Sequence, residues 1–237
     1  MRKKEKEKVT EILRTAFEAP APTKKEAFLR IHTQSISNRE FLFVQATYIR
    51  NTTWCVSFAL FVAAFVGAML LDQNMLWLLA AMIPFLAISA VSENIRSETF
   101  GMAELEMASR FSLKSVMFAR MGILGITHFL LILVLVLLGH RGSLYSLLEI
   151  GVYLMVPYLL TTFGGLWISR KIHGKESSYA CMGVAAMVSV LQITLGYMQE
   201  LFYKADYFQW WMVGFLLLIS LTIKEIKNML IRAEAIA

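Results

Sequence analysis

Six runs of apolar residues, each 17 to 23 residues long, divide the chain: Thr53–Leu71, Met75–Val91, Val116–Leu138, Leu147–Ser169, Ser178–Met198 and Tyr207–Ile223. A helix needs roughly 17 to 25 residues to cross the hydrocarbon core of a bilayer. Each run therefore predicts one transmembrane helix, the second and sixth at the short end of the range. Pro84 and Pro157 fall in mid-run, where a membrane helix tolerates a kink that a soluble helix seldom does. The predicted fold is an all-α integral membrane protein of six transmembrane helices.

About fifty largely polar residues precede the first run, so no secretory signal is expected and the first span should direct its own insertion. In this region Val9, Ile12, Leu13, Ala16 and Phe17 share one helical face, and A-P-A-P at 19–22 ends that helix. A second short helix is expected over Lys24–Ile31. Ser37 and Glu40 have the spacing of a capping box and open a further helix through Phe41, Val44, Gln45 and Tyr48. That helix has two readings, one lying in the membrane interface and one extending the first span into the cytoplasm.

Charge gives the orientation. Of 23 Lys and Arg, all but Arg141 and Lys204 fall on one side of the six runs, and such an excess marks the cytoplasmic side. Both termini are then cytoplasmic. Residues 1–52 form an amphipathic helical region, 53–223 the membrane domain and 224–237 a cytoplasmic tail. The net charge of +6 follows from this arrangement and does not call for a nucleic acid partner. Cys55 and Cys181 both lie in apolar runs and read as packing residues without a disulfide. The glycines Gly122 with Gly125, Gly164 with Gly165, and Gly183 near Ala186 are expected to permit close helix contact.

The polar interval from Glu93 to Arg120 is the one long break between runs. Gly101 interrupts it, and Met102–Arg110 favours a short helix with Glu104 and Glu106 near its start and Arg110 at its end, matching the helix dipole. It is either a loop helix or an element that docks on a soluble partner. Within the spans Thr127, His128 and Gln192 are the conspicuous polar residues, candidates for a transport path or for hydrogen bonds inside the bundle. No ATP-binding, metalloprotease or hydrolase motif is present, and no His and Cys pair has metal-ligand spacing. No catalytic residue, metal or cofactor is expected.

Glu93, Arg96, Glu98, Gly101, Glu104, Leu105 and Lys114, followed directly by a long apolar span, form a pattern that resembles the coupling region of type-two ABC-transporter permeases. The six runs and the amphipathic helix before them extend the likeness over most of the chain. Met102 stands where that family usually has Thr, and a Pro expected near Ser109 is absent. The resemblance implies a membrane-spanning exporter subunit in a bacterial cytoplasmic membrane. It would work as a homodimer or heterodimer with a separate ATP-binding cassette subunit docked on Glu93–Lys114, Glu106 and Arg110 included. The alternative from another class is a non-transporting membrane regulator that recruits a cytoplasmic protein through its N-terminal helices.

Overall fold

The computed structural model describes residues 37–70, 76–99, 113–140, 145–172, 174–198 and 207–236, together with Lys8, Thr10, Glu11 and Tyr203. The expected helices over 9–17, 24–31 and 102–110 lie outside the described residues. The chain divides into two compact units, 1–40 and 41–237. In the first, the Ser37 amide donates to the Glu40 carboxylate at 3.0 Å, the half of a capping box in which the acidic side chain reaches back to the cap.

Every regular element among the described residues is a helix. These are α1 (Asn38–Tyr48), α2 (Asn51–Leu70), α3 (Leu76–Thr99), α4 (Leu113–His140), α5 (Leu147–Lys171), α6 (Lys175–Tyr197) and α7 (Phe208–Ile236). Four helices are long and apolar enough to cross a membrane, and a fifth crossing results if α1 and α2 are taken as one broken span. That is fewer than the six apolar runs suggest. The stretch in α7 that meets no charge is only Phe208–Ile223, because Lys224, Glu225 and Lys227 follow within the same helix. Large apolar side chains face outward along the bundle, among them Phe58, Phe118, Ile126, Val190 and Trp210. The chain is a multi-pass membrane protein by this measure, because water would penalise so much exposed apolar surface.

Helix α3 is the hub. It packs against α2, α4, α5 and α6, while α7 sits mainly on α5 and also touches α4. Two thirds of its spanning stretch is buried (67%), against 28–39% for the other three spans. Small residues make this possible, with Ala80, Ala81 and Ala87 buried at its contacts. On α5, Gly165 lets α3 approach so closely that an added Cβ would lie 3.1 Å from Val91 Cγ1. Gly164 is similarly tight against Val184, whereas a Cβ added at Gly122, Gly125 or Gly183 would meet nothing within 4 Å. Only one of the three expected small-residue pairs is thus a close contact within this chain.

Contacts at the two ends set the helix directions. At one end the start of α2 meets the end of α3 through Arg50, Thr53 and Glu93. Near the same end Arg170 of α5 pairs with Glu225 of α7. At the other end Tyr153 of α5 lies 5.1 Å, ring to ring, from Trp211 of α7, and Tyr145 and Tyr203 complete an aromatic cluster. There Trp77 at the start of α3 also meets Tyr197 at the end of α6. Thus α5 and α7 run parallel, and α3 runs antiparallel to α2 and α6. The helix α3 also continues past Val91 to Thr99, carrying the first part of the polar interval as helix.

Candidate functional site

The end of α3 is joined to a sharp elbow in the chain. Helix α1, whose residues from Phe41 on belong to the second unit, meets α2 at 83°. Its polarity is inverted: Gln45 is buried with Ile49, while Leu42, Val44, Tyr48 and Phe43 (76% exposed) face outward. A helix that turns its glutamine to the protein and its aromatics away from it suits a medium less polar than water. The 83° turn means that α1 does not extend α2 as one straight helix.

Glu93 fixes the elbow. The first amides of α2 have no partner within their own helix, and the Glu93 carboxylate reaches across from α3 to supply one. Its Oε1 accepts from the Arg50 amide at 3.2 Å and its Oε2 from the Thr53 hydroxyl at 2.8 Å. A carboxylate at a helix N-terminus is also favoured by the helix dipole. Glu93, one of the residues expected to couple to a partner, is only 4% exposed. Beside it a cleft of about 600 Å³ opens between α2, α3 and α6.

Deeper in the bundle, a line of hydrogen bonds joins four helices. Ser89 of α3 donates to its own helix at Leu86 O, 2.8 Å away. Having spent its proton there, it can only accept from Ser57 of α2, at 3.0 Å. Ser57 must then accept from His128 Nε2 of α4, also at 3.0 Å. The other ring nitrogen, His128 Nδ1, shares a hydrogen bond with the Tyr158 hydroxyl of α5 at 3.4 Å. The order places a proton on His128 Nε2. All four groups are buried and His128 is 0% exposed, so the line reads as a clasp between spans, with Ser89 at its cleft end.

The remaining predicted residues are placed separately. Thr127 donates to Ile123 O within its own helix at 2.8 Å. Gln192 is buried on α6, but its partner is the Tyr203 hydroxyl at 3.3 Å, so its side chain does not join the His128 line. Burial, with Tyr153 and Tyr145 close by, holds the Tyr203 hydroxyl above the usual tyrosine range, which keeps it a hydrogen-bond donor in alkaline solution. Arg96 and Glu98 fall on the helical end of α3 and Lys114 on the first turn of α4. Gly101, Glu104, Leu105, Glu106 and Arg110 lie outside the described residues. Among the described residues no three His, Cys, Asp or Glu gather into a metal site.

Two features are not among the residues singled out from the sequence. One is the Arg170–Glu225 ion pair at 2.5 Å. The other is a complete capping box at the start of α5, where Glu149 N donates to Ser146 Oγ at 3.3 Å and Ser146 N to Glu149 Oε2 at 2.7 Å. The signal for the second is present as S-x-x-E before an apolar run. Nothing in sequence spacing signals the first.

The clasp makes a measurable claim. Hydrogen bonds between membrane helices contribute on average about 0.6 kcal/mol and at most about 1.7. His128→Leu, which keeps most of the volume, should destabilise the protein by about 1–2 kcal/mol in detergent unfolding. Ser57→Ala combined with it should cost less than the sum of the two single changes. Strict additivity would show that the Ser57–His128 bond contributes nothing.

No family model, curated protein or solved structure matches the chain.

Proposed function

We propose that the chain is the membrane-spanning, non-hydrolysing subunit of an ATP-driven exporter. In this reading six helices, α2 to α7, cross the plasma membrane with both termini in the cytoplasm, and α1 lies in the inner interface. A separate ATP-binding subunit docks on the polar interval between α3 and α4, and a second membrane subunit, identical or related, completes the assembly.

One observation carries the reading: the most buried helix of the bundle runs directly from the elbow into that interval. Glu93 ties its end to the elbow, and its body touches four other helices. A push on the interval would be passed to α3 as a rigid element and from there to α2, α4, α5 and α6. Alternating access of this kind needs one helix group to rock against another. The charge pattern supports the orientation, with Arg50, Arg170, Lys171, Lys224 and Lys227 toward the elbow end and the aromatic cluster at the other. The alternation of helix direction supports six crossings, including α7, whose buried Glu225 is paired by Arg170.

The test is co-purification from membranes in mild detergent. An ATP-binding subunit should accompany the chain and be lost on Glu104→Arg with Glu106→Arg, while the α1–α7 bundle keeps its unfolding midpoint. A partner lost only on deleting Met1–Ala21 would replace this reading with that of a regulator acting through its N-terminal helices. Cysteine labelling of Ser109→Cys from outside the cell would overturn the topology.

A further inference from the structure

The cleft between α2, α3 and α6 has two chemically distinct parts. Its elbow end carries Arg50, Thr52 of α2 and Ser92 of α3, with Ser178 and Tyr179 from α6. Deeper in, the lining changes to Val56, Phe85, Ile88 and Met182. Val56, Phe85 and Met182 are themselves exposed to the outside of the bundle, so the cleft is open laterally along the faces that would meet lipid. Its volume of about 600 Å³ lies within the roughly 300–1,000 Å³ typical of sites for small ligands.

The polar end lies at a defined depth. Helix α1 turns its apolar side chains outward beside the elbow, which sets Arg50 at the level where an interfacial helix rests. A guanidinium there, with the Thr52 hydroxyl beside it, suits a phosphate, because Arg matches phosphate oxygens with paired donors; Ser92 spends its own proton on Ser89 O at 2.9 Å. Glu93 lies at the same end, but its two oxygens already accept from Arg50 N and Thr53. Its charge serves α2, and the Arg50 side chain is exposed at the mouth.

We infer that this cleft is a binding site for one membrane phospholipid. The phosphate rests on Arg50 at the elbow, and one acyl chain lies along Val56, Phe85 and Met182 between α2 and α6. An apolar wall alone would accept any hydrocarbon; a cation at headgroup depth makes the site select for phosphate. Such a site would serve the chain whether or not it takes part in transport.

The full chain, delipidated in mild detergent, would be titrated with radiolabelled dioleoylphosphatidylglycerol, with dioleoylglycerol and inorganic phosphate as comparison probes. Saturable binding of about one phospholipid per chain is expected, at least about ten-fold tighter than dioleoylglycerol, since one charge-assisted phosphate contact accounts for a factor of that size. Arg50→Gln should remove that preference and Arg50→Lys should restore part of it. Met182→Trp, which fills the apolar half, should abolish binding of both lipids. Lys171→Gln, which removes an exposed cation at the same end packed over Trp167, should change nothing. Equal binding of the two lipids, or equal effects of Arg50→Gln and Lys171→Gln, would mean apolar partition or annular lipid and would overturn the proposal. So would Arg50-dependent binding of inorganic phosphate as tight as that of the lipid. If Met182→Trp broke a dimer and left lipid binding intact, the occupant would be a second copy of the chain, and the proposal would fall. Unfolding midpoints of all variants separate loss of the site from loss of the fold.

Discussion

Glu93→Ala should loosen the elbow and destabilise the bundle by about 2–4 kcal/mol. Two acceptors disappear at once, and hydrogen bonds to a charged group contribute roughly 1.5–3 kcal/mol each. The open cleft lets water replace part of that loss, which keeps the total below the simple sum. The Arg50 amide and Thr53 hydroxyl are otherwise left without the carboxylate that holds them. Glu93→Gln keeps the shape and one acceptor but loses the charge at the N-terminus of α2, for which about 1 kcal/mol is expected. Detergent unfolding measures the global change. Trypsin measures the local one, because Arg50 sits at the bend, and cleavage after it should accelerate in Glu93→Ala well before the rest of the chain is cut. If cleavage and unfolding both stay at wild-type values, Glu93 does not hold the elbow, and the link from α3 to the interfacial helix is lost with it.

Glu93 also shows where sequence reading stops. The helical core of each apolar run is legible because about twenty consecutive apolar residues have few other destinations. The polar residues after Val91 look like an exit from the membrane. Yet Glu93 and Asn94 are buried, because α3 continues as helix and finds the start of α2 beside it. That partner lies forty residues earlier in the chain, and no local period encodes it. His128 is conspicuous as a polar residue in an apolar run, but its bonding partners Ser57 and Tyr158 are ordinary small or aromatic residues on two other helices. Gln192 looks equivalent to His128 by depth and composition and is held by Tyr203, a residue of the connection between α6 and α7. Hydropathy finds which side chains must be satisfied inside; only packing decides by whom.

The elbow and the clasp share α3, and this bears on how the bundle would move. Ser89 and Glu93 are one helical turn apart on that helix, both facing α2. The Glu93 bonds tie α2 to the polar interval, and Ser57 ties α2 both to Ser89 of α3 and, through His128 and Tyr158, to α4 and α5. A rotation of α3 that kept Glu93 in place would still have to break or re-form the Ser57–Ser89 contact. Helices α2 and α3 therefore move as one body unless both bonds are released. Helix α7 is placed differently: it packs mainly on α5, and its ion pair is made to that helix.

That dependence leads to the other large expected effect, Arg170→Met. Glu225 is buried on α7 at 4% exposure, and Arg170 Nε of α5 approaches its Oε1 to 2.5 Å while Asn228 Nδ2 reaches Oε2 at 3.3 Å. Removing one partner of a buried pair leaves an uncompensated charge and costs about 3–5 kcal/mol. Arg170 is itself one-third exposed, so some water already screens the pair and about 2–4 kcal/mol is the figure to expect. Glu225→Gln should cost less, about 1 kcal/mol, because the guanidinium left behind can turn its head to the interface along an apolar stem. The double change Arg170→Met with Glu225→Met should recover most of the loss, since a buried ion pair contributes little more than an apolar pair of similar volume. Unfolding of wild type, Arg170→Met, Glu225→Met and the double variant forms a double-mutant cycle. A double variant as unstable as Arg170→Met alone would mean that Arg170 acts through its packing on α5, and the pair would not be what sets α7 against it.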